Sequence, residues 1–233
     1  MQQTEFDGYA ESYEDLHRRN IAISGETSEY FAEYKVAFAA ELTKFSKTAE
    51  ISVLDFGCGI GNSIPWFRKY FPGIKLVCAD VSSKSLEYAS KRFPGDEQYL
   101  NVAEDRLNVP DNSFDLVFSA CVFHHIAPHE RQLWLKELYR VAKPNALLSI
   151  FEHNPWNPLT VRAVKDCPFD EGVELINSIQ MRSMISVAGW QKAKIYFRIF
   201  FPHVLAFMRP LEKGLKWLPL GAQYAAFAVK PDR

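Results

Sequence analysis

The residues best suited to chemistry lie in one stretch, Ser52-Val-Leu-Asp-Phe-Gly-Cys-Gly-Ile-Gly61, where an apolar run meets a glycine-rich turn. A strand over 51–56 would deliver Gly57, Gly59 and Gly61 to the edge of a sheet, where the chain can turn with no Cβ between it and a bound ligand. A helix starting at Asn62 or Ser63 would then aim its free amides at that ligand. About twenty positions on, a second apolar run, Lys75-Leu-Val-Cys-Ala-Asp80, ends in a carboxylate able to accept both hydroxyl protons of a ribose. Asp80 could also cap a helix that begins at Ser82 or Ser83, alongside that role. Together these features predict a nucleotide-containing cofactor. A nicotinamide dinucleotide fits poorly, because its fingerprint needs glycine at position 62 and this chain has Asn62.

Asp55 stands two residues before Gly57, and this acid followed by Gly-x-Gly-x-Gly resembles the first motif of the class I S-adenosylmethionine-dependent methyltransferases. The resemblance covers about residues 6–190. It implies S-adenosylmethionine as cofactor and S-adenosylhomocysteine as product, with Asp55, Gly57, Gly59 and Gly61 at the cofactor. It further implies that Asp80 holds the ribose and that Val81 packs on the adenine. Pro110-Asp-Asn-Ser-Phe-Asp-Leu-Val-Phe-Ser119 is similar to a stretch common in the family, read here as a turn and a buried strand over 114–119. Just upstream the chain departs from the family. Ala103 falls where an adenine-reading Asp is usual, which leaves Glu104, Asp105 or the backbone for that contact, with Glu104 preferred.

Ser119-Ala-Cys-Val-Phe-His-His-Ile126 resembles the family's loop between the methionine end of the cofactor and the acceptor, which puts Ala120 beside the cofactor. His124 and His125 then become candidates to take a proton from an acceptor, since imidazole titrates near neutrality. A packing or helix-start role is the plainer reading of the pair. The leader Phe6-Asp-Gly-Tyr-Ala-Glu-Ser-Tyr13 resembles a segment that folds an aromatic ring over the cofactor, with Tyr9 and Tyr13 as candidates. Simple helix packing is the other reading of these tyrosines.

Positioning these residues calls for an α/β fold. Helices are expected over 28–47, 128–141 and 178–187, and further strands over 147–152, 192–200 and 223–229, with a Lys143-Pro144-Asn145 turn. On the helix over 128–141, Leu133, Glu137, Leu138 and Val141 read as a half-apolar face, and Met181 and Met184 read as core fillers. Strands alternating with helices mean a doubly wound, mostly parallel sheet that binds ligands at the strands' carboxyl ends. The resemblance implies a Rossmann-like sheet of seven strands, the last antiparallel. One domain over 1–233 is expected, with a helical cap over 1–48, a cofactor-binding core over 49–153 and an acceptor-side half over 154–233.

Two segments could select the acceptor. Glu152-His-Asn-Pro-Trp-Asn-Pro158 leaves a strand end stiffened by two prolines, so Glu152, His153, Asn154 and Trp156 could face a substrate. Glu152 and His153 join His125 as candidate catalytic residues. Alternatively, the loop's polar groups bond their own backbone. The apolar, basic stretch over 197–220, with an insertion at 201–220, reads as a cap on the sheet edge, a dimer contact or a peripheral membrane or lipid contact.

At 233 residues, 48% hydrophobic and 24% charged, the chain has ordinary globular composition, and its net charge of −1 disfavours nucleic acid as partner. Four cysteines without Cys-x-x-Cys spacing suggest reduced thiols, and the acidic, aromatic start lacks the pattern of a signal peptide, which points to the cytoplasm. Acids and histidines are scattered without ligand spacing, so no metal site is expected. The expected function is direct, in-line methyl transfer to oxygen, nitrogen or carbon of a small-molecule or lipid-like acceptor. A non-catalytic S-adenosylmethionine-binding or assembly protein is the alternative.

Overall fold

A computed structural model describes residues 24–43, 50–102 and 106–232. The expected leader ring Tyr13, its companion Tyr9, and the adenine-side positions Ala103, Glu104 and Asp105 lie outside these residues. Helix α1 (Ser28–Leu42) is followed by β1 (Ser52–Phe56), α2 (Ile64–Tyr70), β2 (Lys75–Asp80), α3 (Ser83–Arg92) and β3 (Gln98–Asn101). Next come β4 (Phe114–Ala120), α4 (Pro128–Val141), β5 (Ala142–His153) and α5 (Pro158–Lys165). The chain closes with α6 (Ser178–Val187), β6 (Gln191–Arg198), α7 (Glu212–Leu215) and β7 (Gln223–Val229).

Among the described residues one seven-stranded sheet runs in the order β3-β2-β1-β4-β5-β7-β6. β7 lies antiparallel to both of its neighbours, and the pairs among β1 to β5 are parallel. The expected doubly wound sheet is therefore present. Successive residues of β1 and β4 point to opposite faces, and both faces are covered, so Val53, Leu54, Leu116 and Val117 are all buried. On one face Leu54, Val117 and Ile150 pack with Trp134 and Leu138 of α4 and Met181 and Ile185 of α6. On the other, Val53, Phe118 and Phe151 pack with Val36 and Phe38 of α1 and Phe67 of α2.

Several boundaries differ from expectation for local reasons. α1 stops at Leu42, where the Thr43 hydroxyl donates to the carbonyls of Ala39 and Ala40. The turn expected at Lys143-Pro144-Asn145 belongs to β5, which starts at Ala142 against Phe114 and kinks where Asn145 takes φ 64°. β6 ends at Arg198 because Ile199 enters the left-handed region and directs the chain into the insertion. On α4 the inward face is Trp134, Leu135, Leu138 and Val141, while Leu133 is exposed. Glu137 is inward too, but as an acceptor for the Leu107 amide and a partner of Arg140.

The insertion packs on α1 and the turn before it. Arg209 pairs with Glu26 and stacks over Tyr30, Lys216 approaches the Phe38 ring, and buried Glu212 accepts from the Phe200 and Phe201 amides. No helix among the described residues is long and apolar enough to cross a membrane.

Candidate functional site

β1, β2, β4 and β5 end at one edge of the sheet, and between β1 and β4 the strand order reverses, which opens a crevice. A cavity of about 350 Å³ occupies it. Part of its wall is the glycine turn, tied to β2 by the Gly57 and Cys58 amides, which donate to the Ala79 carbonyl at 2.8 and 3.1 Å. Gly57 has φ 75°, and a Cβ there would lie 2.3 Å from the Val122 side chain. Gly59 has φ 53° and nothing within 4 Å of where its Cβ would be, so this glycine leaves room on the ligand side. Gly61 serves packing instead, since a Cβ would meet Ile64 and Ala89 at 2.8 and 2.9 Å.

Asp80 binds the turn through its side chain: Oδ2 accepts from the Gly59 amide at 2.8 Å and Oδ1 from the Ser82 amide at 2.9 Å. The cap of α3 is Ser82, whose hydroxyl accepts from the Ser85 amide, so Asp80 is not the cap. Val81 and Ala120 line the cavity beside it. Asp55 is 2% exposed, and its Oδ2 has no hydrogen-bond partner. Burial, then the neighbouring Asp80 charge, raise its pKa to about 7 against the opposing pull of Lys35.

Next to the turn the chain after β4 passes Cys121 in the left-handed region, at φ 59°, an uncommon conformation for a residue with a side chain. Lys35 donates to its sulfur at 3.3 Å and Gln223 lies 3.9 Å from it. Burial opposes ionisation of this thiol, but Lys35 and His153 outweigh it and bring the pKa down to about 7. Tyr34 donates to the Gln223 side chain.

The three histidines gather beside this thiol. Buried His124 lies with Nδ1 2.6 Å from Glu152 Oε2, and Glu152 Oε1 accepts from the Val122 and Phe123 amides at 3.1 and 2.8 Å. Burial works against a charged His124, but Glu152 and Asp170 raise its pKa to about 10. The His125 pKa is lowered, chiefly by burial, although Asp170 pulls the other way. Burial would raise the Asp170 carboxyl, yet the neighbouring His124 and His125 imidazoles hold it well below the usual range.

His124, His125, His153 and Asp170 all line the cavity, whereas Glu152 lies behind it and reaches it through His124. The Asn-Pro loop mostly serves the backbone. Asn154 donates to the Pro219 and Gly221 carbonyls, Asn157 caps α5, and Trp156 lies against Phe197.

Three lining residues escaped the sequence reading: Lys35, Cys121 as an ionisable thiol, and Asp170. Lys35 had a visible signal, a lone cation among Phe31, Phe38 and Leu42 on the apolar side of a helix. Asp170 had none, because its partners lie far away in sequence.

Residues 54–150 match the profile of a family described as "Methyltransferase domain". The match includes the glycine turn, Asp80, His124 and His125, and it stops before Glu152, His153 and Asp170. Residues 54–150 are thus similar to a methyltransferase domain. A 2-methyl-6-phytyl-1,4-hydroquinone methyltransferase from Synechocystis is 32% identical over 105 residues, 44% of this chain and 32% of that protein. A tRNA N(3)-methylcytidine methyltransferase from Drosophila melanogaster is 25% identical over 162 residues, covering 62% of this chain and 50% of that one. The chain thus spans half or less of these relatives. A solved SAM-dependent methyltransferase from Thermotoga maritima superimposes with a TM-score of 0.69 at 17% identity, over 98% of this chain and 99% of that one. That likeness concerns the fold. The segment that matches the methyltransferase profile thus lies in a sheet with the same overall course, and the relatives named act on different molecules.

Proposed function

We propose that this methyltransferase domain moves a methyl group from S-adenosylmethionine to oxygen, nitrogen or carbon of a small-molecule or lipid-like acceptor by direct in-line displacement, releasing S-adenosylhomocysteine. The observation that carries this reading is the set of groups lining one cavity. An open, Cβ-free position at Gly59 lies beside the Asp80 carboxylate, and the same cavity is lined by imidazoles and a thiol. S-adenosylmethionine, when bound, supplies an electrophilic methyl group on a sulfonium.

The residues present suit it. Asp80 would accept the ribose hydroxyls, Val81 and Ala120 would flank the ring and the sulfur end, and Asp55 and Lys35, of opposite sign, suit a zwitterionic amino-acid group. His125 or His153 would take a proton from an oxygen or nitrogen acceptor. Glu152 is a positioning residue that acts through His124. An acceptor with an apolar body is favoured by Phe31, Leu159, Val164, Ile199 and Phe200 along the wall. The insertion acts as a cap over this wall.

Incubating the protein with methyl-labelled S-adenosylmethionine and panels of small polar, quinol-like and lipid-like acceptors tests the reading. Label should transfer to at least one panel, with S-adenosylhomocysteine formed in equal amount. Calorimetric binding of the cofactor with no transfer to any acceptor would favour the non-catalytic binding protein.

The buried Asp55 makes a pH prediction. Its folded pKa, about 7, lies above the ordinary aspartate value of 3.8 that the unfolded chain has, so in the free protein its proton contributes stability fully present below 3.8 and lost as pH rises through about 7. A cationic cofactor beside Asp55 favours the ionised form, so binding below that pH expels a proton. Affinity should rise with pH, by up to about tenfold per unit, and flatten above 7. Calorimetry in two buffers of different ionisation enthalpy measures the released proton. Asp55→Asn should abolish both the release and the slope, and an unchanged slope in that variant would assign the titration elsewhere.

A further inference from the structure

The acceptor end holds two acids and two imidazoles in an arrangement that hydrogen bonding leaves incomplete. His124 Nε2 is buried with no hydrogen-bond partner, 3.5 Å from Asp170 Oδ1. His125 Nε2 lies 3.3 Å from the same oxygen, and the three atoms fall within 4.8 Å of one another. Zinc bound tetrahedrally at about 2.0–2.1 Å holds its ligand atoms roughly 3.4 Å apart, which is the spacing of both histidine–aspartate pairs. Glu152 faces the opposite nitrogen of His124 at 2.6 Å, the outer carboxylate that commonly fixes a metal-binding imidazole with its Nε2 lone pair directed at the ion.

We propose that His124, His125 and Asp170 form a site for a divalent ion of the zinc class, with Glu152 as the outer carboxylate and a coordination position open to the cavity. Two imidazoles and one carboxylate suit zinc or cobalt better than magnesium or calcium, which prefer all-oxygen sites. The open position faces the space assigned above to the acceptor, and the inference rests on that assignment for its purpose. A hydroxyl or thiol of the acceptor bound there would lose its proton more easily, because the ion stabilises the anion. His153, whose ring centroid lies 5.2 Å from that of His124, is then the lining imidazole left to receive the proton. The acceptor class this selects carries an ionisable oxygen or sulfur, and not an unactivated carbon.

The test uses tag-free, chelator-treated full-length protein titrated with Zn²⁺ and, separately, with Co²⁺, in the absence of cofactor. One equivalent of each should bind, and Co²⁺ should give the intense visible absorption of a tetrahedral site. Asp170→Asn and His125→Gln should each remove that equivalent, and Glu152→Gln should weaken it about 10–100-fold. S-adenosylhomocysteine binding, measured on every variant, reports folding and tests the cofactor reading independently. A wild-type protein that binds S-adenosylhomocysteine but neither metal overturns the proposal and leaves protons as the cation between the two acids. Metal bound as tightly by the folded Asp170 and His125 variants overturns it as well. If metal binds and S-adenosylhomocysteine does not, the site stands and the cofactor reading falls.

Discussion

Replacing Asp80 with alanine is expected to weaken the binding of both S-adenosylmethionine and S-adenosylhomocysteine by about a hundredfold or more, measured by calorimetric titration. The carboxylate has two tasks. It would hold the ribose, and it already fastens the glycine turn through the Gly59 amide and the start of α3 through the Ser82 amide. Hydrogen bonds to a charged group contribute about 1.5–3 kcal/mol each. Losing two ribose contacts alone therefore costs about 3–6 kcal/mol, and a loosened turn adds to it. Asp80→Asn should be milder, because the amide keeps one acceptor oxygen for the turn. Folded Asp80→Ala protein with wild-type affinity for both ligands would sink the cofactor assignment.

Glu152→Ala is expected to be the most damaging single change to stability. The carboxylate is 1% exposed and satisfies two backbone amides and the His124 ring at once. Truncation leaves those donors buried and unpaired, which typically costs about 3–5 kcal/mol for a broken buried pair. In a chain of this size that corresponds to a fall in Tm of about 6–20 °C. Glu152→Gln keeps the shape and one acceptor oxygen, so its melting temperature should lie between the two. The opposite pattern, an unchanged Tm with methyl transfer abolished, would make Glu152 a direct participant in chemistry and not the support for His124.

Local pattern carried most of the fold and the cofactor end of the site. A buried parallel strand needs a continuous apolar run, and a cofactor turn needs glycines and acids within a few residues of one another, so Asp55, Gly57, Gly59 and Asp80 announce themselves over about twenty-five positions. Boundaries were less legible where single residues bend the chain. Nothing in Lys143-Pro144-Asn145 distinguishes a turn from a kinked strand until Phe114 pairs with Ala142. Gly61 shows the same limit in a small way. It belongs to the motif, yet its neighbours Ile64 and Ala89 give it a packing task between α2 and α3.

The acceptor end was decided in three dimensions. Glu152 read as a residue over the site, because it comes at a strand end. In the folded chain it turns inward, and the residue that shares the histidines is Asp170, which arrives by way of α5. Lys35 reaches Cys121 from a helix at the other end of the chain. A charge's role depends on which opposite charges and lone pairs surround it within a few ångströms, and those neighbours are chosen by packing across the sheet, not by sequence spacing. The sequence by itself thus determined a doubly wound sheet and a nucleotide-cofactor turn, because apolar runs and clustered glycines and acids announce both locally. The tertiary structure alone decided the protonation, partners and metal-like spacing of the groups that face the acceptor.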